Sequence, residues 1–223
     1  MKRNIIISLI GLLSIMASCQ NQQSTSEANH STTDSGSMAH TTSPMSEKGS
    51  RLMISMSKMI EKMHKMKNIG NADYDLAAQL QEHHRSAIDM AEAELQNGSD
   101  SELKKIAQKI KDKQTKEIKD LDVLINKYKN ASKDYDPANV NEGLGKAMSE
   151  NMMSMMSSPE EKQVPIDQEF AMMMRKHHSD GIKMGRTILQ FSKDPALKSM
   201  TEKMIADQTK EIKEFETWET AHK

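Results

Sequence analysis

The chain has 223 residues, with 31 basic and 32 acidic side chains and a net charge of −1, so no basic excess is available to track a phosphate backbone and nucleic acid is not expected as a partner. Twenty-one methionines stand against only 3% aromatic residues. Core volume must therefore come from Leu, Ile, Ala and Met, which suits a helix bundle and is poor material for a sandwich or barrel.

Residues 1–18 read as an export signal. Lys2 and Arg3 give a positive start, and Ile5 to Ile15 form an apolar run too short to span a bilayer as a helix. Met16-Ala17-Ser18 lead into Cys19, the single cysteine, in a pattern that resembles a bacterial lipobox, where the cysteine is diacylated and becomes the mature N-terminus. The alternative is an ordinary signal peptide cut nearby, leaving a free thiol. The expectation is a cell-envelope lipoprotein facing the periplasm, touching the membrane through its lipid only. Residues 19–49 are rich in Ser and Thr and nearly free of apolar side chains, and read as a disordered tether carrying His30, Met38, His40 and Met45.

From residue 50 onward the sequence repeats. A shift of 94 places His83-His84 on His177-His178, Met90 on Met184, Asp100 on Asp194, and Gln114 to Lys119 on the identical residues 208–213, with no insertion between. The first copy spans 50–128, the linker 129–142 and the second copy 143–223. Each copy reads as three helices. A short Met-rich one is predicted at about 50–67 and again at about 143–157. A second is predicted at about 73–97 and 167–192, with Asp73 and Asp167 as expected N-caps. The third is predicted at about 101–128 and 195–220, capped by Asp100 and Asp194, with Pro195 at its first helical position in the second copy. Apolar residues such as Leu103, Ile106 and Ile110 recur at helical intervals, so strands find no support. Two antiparallel hairpins of helices this long bury their apolar stripes against each other as an all-α four-helix bundle, with the two short Met-rich helices packed on its flank or end.

On a helix His83, Ala87 and Met90 share a face, as do His177, Gly181 and Met184, and the small residue between leaves room for an ion. Met173 and Met174 extend that face in the second copy, where the first has Gln79 and Leu80. Folding each hairpin at its turn sets His83 level with Gln114 and His177 level with Gln208. Either glutamine could fix a ligand histidine's tautomer from behind, or equally satisfy a purely structural one. Met53, Met56, Met59, Met63 and Met66 form one stripe with His64 beside it, and Met148, Met152, Met153, Met155 and Met156 repeat the theme. Such a stripe is ordinarily buried core. Its enrichment here, together with the histidines, points to thioether and imidazole ligands, which select soft cations: Cu(I) above all, Ag(I) as its mimic, and Cu(II) through the imidazoles. Zinc fits poorly.

The segment His83-His84-Arg85-Ser86-Ala87-Ile88-Asp89-Met90-Ala91, with the pattern running from Leu103 through Ile118, resembles the domain of unknown function (DUF) 305 family, twice over from about 72 to 220. The resemblance implies a ferritin-like fold and, since that family includes CopM-type periplasmic copper-binding proteins, copper binding and resistance. The second copy departs from the pattern, with Gly181 and Gly185 in place of alanines.

The expected function is a copper-binding, non-enzymatic lipoprotein that sequesters or shuttles the metal for copper tolerance, with copper as its one ligand and a copper donor or acceptor protein as partner. The candidate ligands are His83, His84, Met90, His177, His178, Met184, Met173, Met174, Met59, Met63, His64, Met66, Met152, Met153 and Met156, backed by Gln114 and Gln208. One rival is a lipid-anchored structural or interaction bundle whose histidines only pack. The other, a di-iron carboxylate enzyme, needs Glu-x-x-His on two helices, and Glu61 to His64 supply it only once.

Overall fold

The computed structural model describes residues 44–157 and 164–222, with side chains described from residue 51. The chain divides into two units, Met1–His40 and Thr41–Lys223. The first unit, with the expected signal, Cys19 and most of the tether, lies outside the described residues. The second unit holds six helices and, among the described residues, no strand: α1 (Pro44–Lys65), α2 (Ala72–Asn97), α3 (Ser101–Tyr128), α4 (Gly143–Met156), α5 (Ile166–Phe191) and α6 (Pro195–Ala221). No described helix is long and apolar enough to cross a membrane.

The starts of these helices are set by side chains that satisfy the first free N–H groups. Asp100 accepts from the backbone of Glu102 and Leu103, and Asp194 accepts from Ala196 and Leu197, as their positions before the two long helices predict. Asp73 and Asp167 do something else. The cap of α2 is Asn71, which accepts from the Tyr74 N–H, and α5 begins after Pro165 without a side-chain cap. The Asp73 carboxylate reaches instead to the turn of the other hairpin, accepting from Ser192 Oγ at 2.6 Å and from the Lys193 and Asp194 N–H groups at 2.9 and 3.1 Å. Asp167 mirrors it, accepting from Ser99 Oγ at 2.5 Å and from the Ser99 and Asp100 N–H groups at 2.8 and 2.9 Å. Each hairpin thus clasps the other's turn. α1 also begins earlier than its methionine stripe predicts, at Pro44.

α2 packs along α3 and α5 along α6, the two hairpins meet mainly through α2 and α5, α1 lies on α2, and α4 lies on α5. Leu52, Met56, Met59 and Met63 face inward from α1 and join Met90, Leu103, Ile110, Phe170, Met174 and Phe215 in one apolar cluster. Leu76, Leu80, Leu121, Leu144, Ile188 and Leu197 form a second. Full burial of each such side chain contributes about 1.5–3 kcal/mol. Along α2, α3 and α6 the passage from one cluster to the other is made by polar residues: His83-His84, Gln114 with Glu117, and Gln208 with Glu211.

Candidate metal sites

The histidines meet at that polar belt. His83 and His84 come from α2, His177 and His178 from α5, and all four are fully buried. The His83 and His177 rings lie face to face, centroids 3.8 Å apart and planes 34° from parallel. His177 Nε2 is 3.1 Å from the His83 carbonyl oxygen, and since a carbonyl only accepts, that nitrogen carries the proton. His177 Nδ1 and both ring nitrogens of His83 have no hydrogen-bond partner. Burial, and then the charge that the neighbouring histidines would carry, push His83 and His177 well below the ordinary imidazole range, so both rings are neutral at pH 7 with lone pairs available.

Each outer histidine has a carboxylate. His84 Nε2 lies 3.0 Å from Glu117 Oε2, and His178 Nε2 lies 2.9 Å from Glu211 Oε2. Burial works against the Glu211 carboxylate, yet the His178 contact holds it below the usual carboxylate range. These glutamates are the partners that α3 and α6 supply to the outer histidines, whereas Gln114 and Gln208 are the residues expected opposite His83 and His177. Gln114 Oε1 and both polar atoms of the Gln208 amide have no hydrogen-bond partner. The glutamates sit in the identical stretches 114–119 and 208–213, one helical turn beyond the level that simple folding of each hairpin predicts; their identity in both copies was the available signal.

The space beside Gly181, expected to leave room for an ion, is filled by protein. A Cβ there would stand 2.5 Å from Gln208 Oε1 and 3.0 Å from His83 Cε1, so the missing side chain lets the first copy's imidazole seat against α5. Met59, Met90, Met173, Met174 and Met184 are buried in the apolar cluster with Phe170 and Phe215. Among the described residues, no group of three or more His, Cys, Asp or Glu side chains is placed to hold a metal ion.

The remaining candidates come together elsewhere. Met63, His64, Met66, Met152, Met153 and Met156 line one cleft of about 330 Å³ between the C-terminal end of α1 and the outer face of α4. Met148, whose Sδ is 3.6 Å from the Tyr135 hydroxyl, lies at its floor and was not among the expected ligands. Seven residues that carry soft or borderline donors thus line one space, and its lining contains no lysine, arginine, aspartate or glutamate. Met63 and Met148 are almost fully buried, whereas His64 is exposed.

The α4 side of this cleft is tied to the histidine helix. Lys176 Nζ donates to the Ser154 carbonyl at 2.9 Å and also to the buried Asp180, and Ser154 Oγ donates to Asp180 Oδ1 at 2.9 Å. The equivalent positions in the first copy are Glu82 and Ser86, so only α4 is held in this way; α1 is met by Ser86 Oγ donating to the Ser55 carbonyl at 3.4 Å and by a Lys62–Glu82 ion pair at 3.2 Å.

Among curated proteins none matches the chain. The chain is similar to solved structures of CopM. CopM in the Ag-bound form, obtained by co-crystallization, shares 25% identity at a TM-score of 0.50 over 67% of this chain and 96% of that one. CopM in the apo form and in the Cu(I)-bound form each share 24% identity with the same coverage and TM-score. At that identity these two speak to the fold, an all-helical bundle. The family model described as Domain of unknown function (DUF305) matches residues 12–125 and, overlapping that stretch, 73–219, both of which hold the His83-His84 motif, and the chain belongs to this family.

Proposed function

We propose that the chain binds copper, Cu(I) in preference and Ag(I) as its mimic, and sequesters or shuttles it for copper tolerance, as a lipoprotein of the cell envelope facing the periplasm. Supporting this reading above all is the convergence of six thioethers and one imidazole on a single cleft without formal charge. Thioethers are soft, need no deprotonation to bind, and stay available where thiols would be lost to disulfides. A neutral lining suits a monovalent ion better than a doubly charged one, since no carboxylate is present to offset the higher desolvation cost. The likeness to CopM in its Ag-bound form adds to it. Met63, His64, Met66, Met152, Met153 and Met156 are the proposed ligands, with Met148 beside them. The unpartnered nitrogens of His83 and His177 are a second proposed binding point, reached when the core loosens enough to admit an ion. Exchange with a copper donor or acceptor protein would take place at the open cleft.

A packing-only bundle is favoured by one observation: the central histidines are enclosed, and His84 and His178 already face carboxylates. Anaerobic titration with Cu(I) against a competing chelator separates the two. A thioether cleft takes up at least one equivalent and loses it when Met152, Met153 and Met156 are replaced together by leucine, with helicity unchanged. No uptake by the unaltered chain would leave the packing-only bundle standing.

A further inference from the structure

The methionines of the cleft differ sharply in their access to solvent. Met63 and Met148 are 4% and 6% exposed, whereas Met153 and Met156, on the last turn of α4, are 68% and 62% exposed. Met155, between them on the same turn, is fully buried. Among the described residues no other methionine is as open. We propose that Met153 and Met156 are an oxidation site that releases the cleft's ion, an inference that rests on the cleft being the metal site. The oxidant is a peroxide. A thioether sulfur attacks one peroxide oxygen with its lone pair, the O–O bond breaks, and the sulfoxide forms. The sulfur loses two electrons, the oxygens gain them, and the proton on the transferred oxygen passes to the departing hydroxide, which leaves as water. Each event consumes one peroxide and needs no other reactant.

The same lone pair serves both reactions, so binding and oxidation exclude each other. A thioether bound to a soft ion is closed to peroxide. A sulfoxide offers a hard oxygen on a bulkier polar group, which a soft monovalent ion disfavours. The lip cannot simply swing its oxidised side chains away with the helix, because Lys176 and Asp180 hold the Ser154 turn to α5. The floor thioethers are shielded, so oxidation removes the lip ligands and leaves the packing of α1 and α4 in place.

The test uses the full chain, hydrogen peroxide and Ag(I), a soft ion that peroxide does not cycle, in chloride-free buffer, with oxygen gain read at each methionine by tandem mass spectrometry. In metal-free protein Met153 and Met156 are expected to oxidise about tenfold faster than Met148 and Met155, and saturating Ag(I) is expected to slow them to the buried rate. Oxidised protein should bind Ag(I) about tenfold more weakly and recover on enzymatic reduction of the sulfoxides. The M153L/M156L variant, starting from weaker binding, should show a much smaller fall after peroxide, left to the half-buried Met66 and Met152. Equal oxidation rates at the four methionines, or an unchanged silver affinity after oxidation, overturns the inference while leaving the metal cleft intact. A chain that takes up no Ag(I) before any oxidation overturns both.

Discussion

The His83 and His177 rings stack at 3.8 Å, each supplied by the same position of a repeated segment, and neither reaches solvent. Both are held below the ordinary value of 6.5 by burial, so the unfolded chain binds more protons than the folded one as the pH falls below 6.5, and stability is lost in that direction. The loss is expected to reach about 1.4 kcal/mol per pH unit for each ring. Urea unfolding of the metal-free protein at pH 7 and pH 5 measures it. H83Q/H177Q, which cannot take up the protons, should show a flatter dependence over the same interval.

Glu94 works in the opposite sense. It is fully buried, and burial first, then the Asp167 carboxylate beside it, push it up to about 8 from 4.5. The folded chain then holds a proton that the unfolded chain has already released, so stability falls as pH rises from 4.5 through 8 and levels off above. E94Q keeps the neutral, hydrogen-bonding shape without the ionisation. It should match the natural chain near pH 5 and exceed it by about 2 kcal/mol at pH 9, read from denaturant midpoints at the two values.

The reciprocal clasps of Asp73 and Asp167 each satisfy three donors at a turn of the partner hairpin. Replacing either carboxylate by alanine removes the acceptor these donors share, two of them backbone N–H groups, and only the Asp194 N–H keeps another, Ser192 Oγ at 3.2 Å. D73A and D167A are each expected to cost about 2–3 kcal/mol of stability, with hydrogen exchange rising first at residues 192–194 in the former and 99–100 in the latter.

Asp180 should matter to binding more than to folding. D180N keeps the size of the side chain and weakens the charge-assisted bonds that fix the Ser154 turn. Silver affinity of the cleft is expected to fall about threefold to tenfold while the far-ultraviolet circular dichroism stays the same. S86N, at the equivalent position of the first copy, lies against α1 instead and serves as the control for an altered polar contact on that face.

G181A tests the close approach at the bundle centre. The added Cβ would meet Gln208 Oε1 and His83 Cε1 well inside contact distance, so a loss of about 1–3 kcal/mol is expected even though alanine is the better helix former. Thermal melts of G181A and of the natural chain check it, with the lower midpoint expected for G181A.

Much of the fold was legible from periodicity. The bounds of α2, α3, α5 and α6 fall within a residue or so of the pattern, because the apolar interval and the Asp100 and Asp194 caps are local signals carried by the chain itself. What crosses between helices was less legible. The local pattern fixes which face of a helix is apolar, but the axial shift of one helix against another comes from packing along its whole length, so the pairing of Glu117 with His84 and of Glu211 with His178 could not be read from it. Asp73 and Asp167 have the composition and position of caps, and only the proximity of the opposite hairpin's turn reveals their other role. At the candidate sites the sequence named both sets of donors without separating them. Met90 and Met184 share a helical face with the histidines yet end among Phe170 and Phe215, while Met63, Met66, Met152 and Met156, far apart in the chain, end in one cleft.

Because every clasp runs from one repeat to the turn of the other, neither repeat is complete by itself. Cutting the chain within the linker at residues 129–142 takes from each half the carboxylate that fastens its own turn.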